Sequence, residues 1–254
     1  MGDLGVKMRR MNDYKRLAKD YDFLNPKEEI FKQKPFFLRL IKNYSVRTCL
    51  DCARGTGWHL LMLSDLGLEC FGSDLSPEML ALARKNLSGK KIPLKKQDFR
   101  TLSDSWKEKF DMIICMTTSF PHLLTDQEAV TALQSMHERL NEGGIVVIDS
   151  GIPDALLNAR PKCIPGRILK DRAFYFFLEY PNRKRIVVNI LYVKKTENSF
   201  AHAFFCVHYR AMRKSALEKY FARTKFNAVH YFGDHRFRRY SEKKSRRLIA
   251  IAQR

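Results

Sequence analysis

Two glycines one residue apart, Gly55 and Gly57, close the stretch CLDCARGTG (49–57), which begins in an apolar run and carries Asp51. Glycine accepts the backbone conformations that a close approach to a ligand demands. A helix that starts just after such a turn presents free N–H groups. Trp58, His59 and Leu60 follow with no third glycine in register, so the dinucleotide fingerprint is absent. The Gly-Lys-Ser/Thr of a phosphate loop is absent too. Two further carboxylates stand downstream: Asp74 closes LECFGSD (68–74), and Asp98 precedes Phe99 at the end of IPLKKQDF (92–99). An acid at the end of a second parallel strand can take both hydroxyls of a ribose. One at the end of the third can accept from an adenine amino group while Phe99 packs beside it. The set is arranged for an adenosine-like ligand, and nothing in it for a pyrophosphate. Arg54 sits where small residues are usual, and its side chain is expected to point out of the turn, leaving the backbone unchanged.

Other reactive groups form no comparable pattern. Cys49 and Cys52 make one Cys-x-x-Cys with no second pair, too little for a zinc or redox site. Most of the six cysteines lie in apolar, strand-like runs, which suits buried free thiols in a reducing cytoplasm. His59, His137, His202, His208 and His230 lack ligand spacing, so no metal is expected. Asp126 is expected to open a helix and to have no chemical role. The net charge of +20 and pI near 9.8 permit an anionic partner such as nucleic acid. The basic residues are spread along the chain, however, with the densest run at HRFRRYSEKKSRR (235–247).

The elements that must position these residues are legible. No apolar run approaches the ~18 residues of a membrane span, and MGDLGVKMRRMND has no secretory h-region, so a cytoplasmic chain without membrane contact is expected. Residues 13–44 show helical spacing with a break at Asn25-Pro26. Strands are expected at 46–52, 68–74, 92–99, 110–118 and 143–151. Between them lie helices after Gly57, from Ser76-Pro77-Glu78, and over 125–140. Strands alternating with helices imply βαβ units and a doubly wound parallel sheet. After Gly151, three long aromatic segments (167–180, 183–196, 199–212) read as an antiparallel meander added to that sheet, with turns at Pro181-Asn182 and Glu197-Asn198. A helix and two strands then complete the sheet with a reversed edge. The expected fold is α/β and Rossmann-like, with seven mostly parallel strands. The expected organisation is a helical lid (1–45), a ligand-binding core (46–151), an antiparallel substrate cover (152–212) and the last core elements (213–254), with residues 1–12 mobile.

LDCARGTG (50–57), GSDLSPEMLALAR (72–84), QDF (97–99), FDMIICM (110–116) and LNEGGIVVIDS (140–150) occur in the order of the class I S-adenosylmethionine-dependent methyltransferases, which the chain resembles over nearly its whole length. The resemblance implies S-adenosylmethionine as cofactor, S-adenosylhomocysteine as product, and no metal. It places Asp51, Ala53, Gly55 and Gly57 at the methionine end, Asp74 and Leu75 at the ribose, Asp98 and Phe99 at the adenine, and Met116 under the sulfonium. Arg54 departs from the family, which has Cys or Gly there.

Within that family, IICMTTSFPHL (113–123), VVIDSGIPDALL (146–157), IPGRILKD (164–171) and YFGDHR (231–236) resemble the glycine N-methyltransferase-like group. That places Ser119 and His122 near the cofactor. Thr118 takes the position of a substrate-contacting Asn, a departure that bears on the acceptor. Tyr21-Asp22 echoes a Tyr-Asp pattern whose hydroxyl faces the transferred methyl. The expected acceptor is a small amine or amino acid, and an acidic one would need a guanidinium clamp, for which Arg167 and Arg172 are the candidates. Two competing readings are an RNA methyltransferase, motivated by the charge, and a non-catalytic adenosine-binding homologue, motivated by Arg54. The N-terminal segment is also a candidate contact of a homo-oligomer.

Overall fold

The computed structural model describes residues 21–254. The part of the expected N-terminal helix before Tyr21, and the expectations for residues 1–12, lie outside the described residues. Three short helices come first: α1 (Tyr21–Leu24), α2 (Lys27–Phe31) and α3 (Lys34–Tyr44). Pro26 sits just before α2, at the expected break. The core then alternates: β1 (Thr48–Asp51), α4 (Trp58–Asp65), β2 (Glu69–Asp74), α5 (Pro77–Asn86), β3 (Leu94–Lys96), β4 (Phe110–Cys115), α6 (Asp126–Arg139) and β5 (Leu140–Asp149). Helix starts follow local chemistry. The Ser76 hydroxyl accepts from Met79 N at 3.2 Å, with Pro77 in the first turn. Thr125 and Glu128 form a reciprocal capping box for α6.

After β5 come α7 (Asp154–Ala159), β6 (Cys163–Ile168), β7 (Arg172–Asn182), β8 (Arg185–Lys195) and β9 (Phe200–Arg210). Helix α8 (Lys214–Phe221) and strands β10 (Ala228–Phe232) and β11 (Ile249–Gln253) finish the chain. The main sheet has seven strands in the order β10-β11-β5-β4-β1-β2-β3. All its pairings are parallel except those of β11, the inner member of the edge hairpin, which runs antiparallel to β5 and β10. Strands leave β1 first toward β2 and β3, then toward β4 and β5. The reversal of order makes a crevice at the carboxyl ends of β1 and β4, where α/β sheets bind ligands.

Alternation along β4 shows why both faces are covered. Ile113 and Cys115 pack in one core with α6 and α8, while Met112, Ile114 and Met116 pack in the other with α3, α4 and α5. Phe110, Trp106, Leu133 and Phe36 are all essentially solvent-free, so each layer has a large apolar interior.

The meander was expected to extend this sheet, and it does not. It stands as a separate sheet of four strands, β6-β7-β8-β9. Along β8, Ile186, Val188, Ile190 and Tyr192 are buried while their neighbours are not. One face therefore has to be covered, and α1 and α7 supply Tyr21, Phe23, Leu24 and Leu157 against it. Strand β6 and helix α7 were not anticipated, and the third strand of the main sheet is shorter than expected. The hairpin tip of β7–β8 falls at Arg183 and Lys184, between the paired residues Asn182 and Arg185. No helix among the described residues is long and apolar enough to cross a membrane.

Candidate functional site

Asp51 ends β1 and is 1% exposed. Its Oδ1 accepts from Ala53 N at 3.2 Å, while Oδ2 is buried with no partner among the described residues. Burial pushes this carboxyl up to about 7, against the Ala53 N–H and the charge of Arg54. Gly55 and Gly57 have φ of 53° and 89°, so the turn uses the conformations glycine allows. Asp74, at the end of β2, fastens that turn. Its Oδ2 accepts from Gly55 N at 3.0 Å and its Oδ1 from Ser76 N at 2.9 Å. Burial raises its pKa, and those two N–H groups and Arg54 oppose the rise.

Arg54 does not point out of the turn. Its side chain runs inward and is 3% exposed. Gly72 leaves the slot: a Cβ there would lie 2.6 Å from Arg54 Cδ and 2.6 Å from Leu60 Cδ1. The guanidinium donates to Gly55 O at 3.2 Å and Met79 O at 3.4 Å, and its Nε and Nη2 have no hydrogen-bond partner among the described residues. Burial pulls its pKa down to about 10, and the charges of Asp74 and Asp51 resist. Arg54 thus lies on the protein side of the turn, among Gly72, Leu60 and Met79, and compensates two buried acids.

Tyr21 lies on the open side of the same turn. A Cβ on Gly55 would meet its ring at 3.4 Å and its hydroxyl at 3.6 Å. Burial pushes the Tyr21 hydroxyl up to about 12, a hydrogen bond with the Thr117 side chain works against this, and Asp74 and Asp51 add to it. The next residue holds α1 in place. Asp22 accepts from Trp58 Nε1 at 2.8 Å and from Asn86 Nδ2 at 3.3 Å, which ties α1 to α4 and α5.

The end of β4 is strained. Thr117 and Thr118 are both left-handed, with φ of 53° and 65°, a costly conformation for β-branched residues. Thr118 N donates to Asp149 O at 3.2 Å. Gly151 makes room beside it, since a Cβ there would fall 2.0 Å from Thr118 Oγ1. Asp149 itself is 1% exposed and receives Arg247 Nε at 2.7 Å and Gly151 N at 3.0 Å; His235 Nε2 lies 3.1 Å away. Burial alone would raise this carboxyl, but Arg247 and His235 hold it at about 2. Sequence reasoning missed Thr117, Asp149, His235 and Arg247 as a group. YFGDHR was noted only as part of a resemblance, and its histidine reaches Asp149 from far along the chain.

The remaining expected residues lie around this frame to different degrees. Asp98 accepts both Nε and Nη2 of Arg100, whose Nη1 reaches Glu128 at 2.7 Å. Phe99 is 8% exposed, its ring 6.5 Å from that of Phe120. Leu75 is 52% exposed, just past β2. Met116 is buried, and Ser119 opens the short turn that carries His122. The His122 ring meets Tyr209 edge-on at 4.7 Å, bringing β9 onto the β4–α6 connection. Arg167 and Arg172 come together on Phe23, 5.2 Å and 5.4 Å from its ring. Arg167 donates to Phe23 O at 3.1 Å, and Arg172 pairs with Asp171 at 2.7 Å. Asp126, expected only to open α6, takes Arg210 and the Tyr220 hydroxyl and so bridges α6, β9 and α8. His59 is a structural histidine, bonded to Gln33 Oε1 at 3.1 Å and pulled down to about 4 by burial. No His/Cys/Asp/Glu group among the described residues has the arrangement of a metal site.

This arrangement fits S-adenosylmethionine. The orphaned Asp51 Oδ2 is an acceptor for an ammonium, the positive-φ turn is a backbone cradle, and Asp74 and Asp98 stand at the neighbouring strand ends.

A methyltransferase-domain family matches residues 49–144. The glycine/sarcosine N-methyltransferase of Parasynechococcus marenigrum is 36% identical over 124 residues, covering 48% of this chain and 44% of that protein. The glycine/sarcosine/dimethylglycine N-methyltransferase of Actinopolyspora halophila is 31% identical over 140 residues, covering 54% and 25%. The match spans about half the length of these relatives or less. Among solved structures, an S-adenosylmethionine-dependent methyltransferase from Clostridium acetobutylicum superposes with a TM-score of 0.80 over 94% of this chain and 98% of that one, at 20% identity. A sugar N-methyltransferase from Streptoalloteichus sp. gives 0.74 over 93% and 92%, at 18% identity. At such identities the superpositions establish the fold alone. The segment that matches a methyltransferase domain holds the turn, the acids at 51, 74 and 98 and β4, and over that segment the chain is similar to glycine/sarcosine N-methyltransferases.

Proposed function

We propose that the protein transfers a methyl group from S-adenosylmethionine to the nitrogen of a small amine or amino acid. The observation that carries this reading is the Tyr21 hydroxyl held over Gly55, beside Asp51, Asp74 and Thr117. When bound, the cofactor supplies a methyl group already activated on a sulfonium. In this reading Asp51 Oδ2 accepts from its amino group, Ala53, Gly55 and Gly57 line the same end, and Asp74 with Leu75 holds the ribose. Asp98 and Phe99 flank the adenine, and Met116 and Ser119 close the β4 side. The acceptor lies between Tyr21, Thr118 and His122. A neutral amine needs no strong base, so the protein's work is alignment and exclusion of water. Helix α1 over the turn and the aromatic inner face of the second sheet provide both. An acceptor bearing a carboxylate would be clamped by the guanidiniums of Arg167 and Arg172, which meet on Phe23. Relatives named for glycine, sarcosine and amino sugars support a nitrogen acceptor. The division into lid, core, cover and final core elements follows from the same reading.

The test is methyl transfer with a panel of glycine, sarcosine, dimethylglycine and amino sugars. Transfer to none of them would sink the proposal. Tyr21→Phe is expected to lower kcat about tenfold, the scale of one hydrogen bond lost in the transition state, with cofactor Kd unchanged. A rise in Kd with kcat intact would make Tyr21 a binding residue only.

Asp51 gives a second test. Its carboxyl is half neutral near pH 7 in the free protein, and a bound ammonium favours the charged form. Cofactor binding at pH 7 is therefore expected to release a fraction of a proton. Calorimetry in buffers of different ionisation enthalpy reads this as a buffer-dependent heat, which Asp51→Asn abolishes. Equal heats in all buffers would contradict it.

A further inference from the structure

Away from the glycine turn, a cavity of about 400 Å³ lies between α7, the β7–β8 hairpin and the segment leaving β9. None of its lining residues belongs to the cofactor frame. Arg160, Arg183, Arg185 and Arg213 converge on it from three separate stretches of chain. Two of them are fixed in place. Arg160 donates to Tyr180 O at 3.0 Å with its guanidinium 5.0 Å from the Tyr180 ring centre. Arg213 donates to Asp154 Oδ1 at 3.0 Å and Asn158 Oδ1 at 2.8 Å. Asn182 Oδ1 accepts from Lys184 N at 2.8 Å. Both lining asparagines thus have their oxygens engaged, which leaves their Nδ2 groups as the remaining side-chain donors.

The charge is not balanced. Asp154 pairs with Arg213, and among the described residues no carboxylate pairs with Arg160, Arg183 or Arg185. Arginines lining one volume with no carboxylate among the lining residues give it a positive potential that favours an anion. Arginine forks match phosphoryl oxygens in pairs of parallel hydrogen bonds. A single carboxylate would leave two positive charges unmatched, whereas two linked phosphoryl groups carry enough charge in one compact unit. The volume is at the small end of ligand cavities, too small to enclose a macromolecule. We propose that this cavity binds a small molecule carrying a diphosphate or similar phosphoryl group.

The test is calorimetric titration of the full chain with inorganic pyrophosphate. Wild type, Arg183→Ala/Arg185→Ala and the control Arg236→Ala/Arg238→Ala, in the other basic cluster, are compared. All four positions are in exposed or half-exposed connections or strand ends, and a melting curve checks folding. Binding to wild type is expected to weaken tenfold or more in the first double variant, the scale of one lost charge-assisted hydrogen bond or more, and to stay unchanged in the control. No binding to wild type, or equal weakening in both variants, overturns the proposal. A second arm titrates a ten-residue oligouridylate; if it binds far tighter than pyrophosphate through Arg183 and Arg185, the surface is a nucleic-acid site and the small-molecule reading fails. S-adenosylmethionine affinity is expected to be the same in all variants. A parallel fall in the first double variant would overturn the separation of this cavity from the cofactor frame.

Discussion

Asp74→Ala is expected to abolish measurable S-adenosylmethionine binding, weakening it at least a hundredfold in calorimetric titration. The carboxylate does two things at once. It accepts from Gly55 N and Ser76 N, which fixes the turn in its ligand-ready shape and begins α5. In the proposed complex it also accepts from the ribose. Hydrogen bonds to a charged group are worth about 1.5–3 kcal/mol each, so losing two or more removes at least ~3 kcal/mol, about two orders of magnitude in Kd. The substitution also takes one of two compensating acids from the buried Arg54 guanidinium. Asp74→Asn separates the effects. It can still accept from one backbone N–H but lacks the charge that compensates Arg54, so it is expected to melt below wild type and to bind the cofactor more weakly than wild type but better than Asp74→Ala. A Kd for Asp74→Ala within threefold of wild type would remove Asp74 from the cofactor site.

Asp149→Ala is expected to cost about 3 kcal/mol of stability near pH 7, the scale of breaking one side of a buried ion pair. The side chain is 1% exposed, and its loss leaves Arg247 and His235 facing a void. The pH dependence has a definite sign. The carboxyl titrates at about 2 in the folded protein and at about 3.9 unfolded. A depressed acid contributes stability fully above its unfolded value, and that contribution fades as pH falls toward the folded one. The gap in urea midpoint between wild type and Asp149→Ala should therefore be largest at pH 5–7 and shrink between pH 4 and pH 2. A gap that is the same at pH 7 and pH 3 would mean the charge of Asp149 contributes nothing. The substitution also loosens the carbonyl and the Gly151 turn that hold Thr118. Impaired methyl transfer beyond the loss of folded protein would place this buried cluster among the positioning residues of the site.

Local rules made much of this protein legible in one dimension. The helix starts at Ser76-Pro77 and Thr125 follow from side chains that cap their own neighbours three residues on. The acids at 51, 74 and 98 stand at the ends of apolar runs, and a parallel sheet brings such ends to one side. Those facts sufficed for the turn and the order of the core. Other features depend on which surfaces meet. Nothing near Arg54 in the chain says that Gly72 opens a slot for it. Trp58 reaches Asp22 across 36 residues and so sets Tyr21 over the turn. Arg247 reaches Asp149 across 98, and the Asp149 carbonyl holds the strained Thr118. The second sheet separates from the first because its apolar face finds α1 and α7, not a free sheet edge. Periodicity and capping act within a few residues and can be read from the sequence; packing of side chains and pairing of buried charges act between segments that only the folded chain brings together.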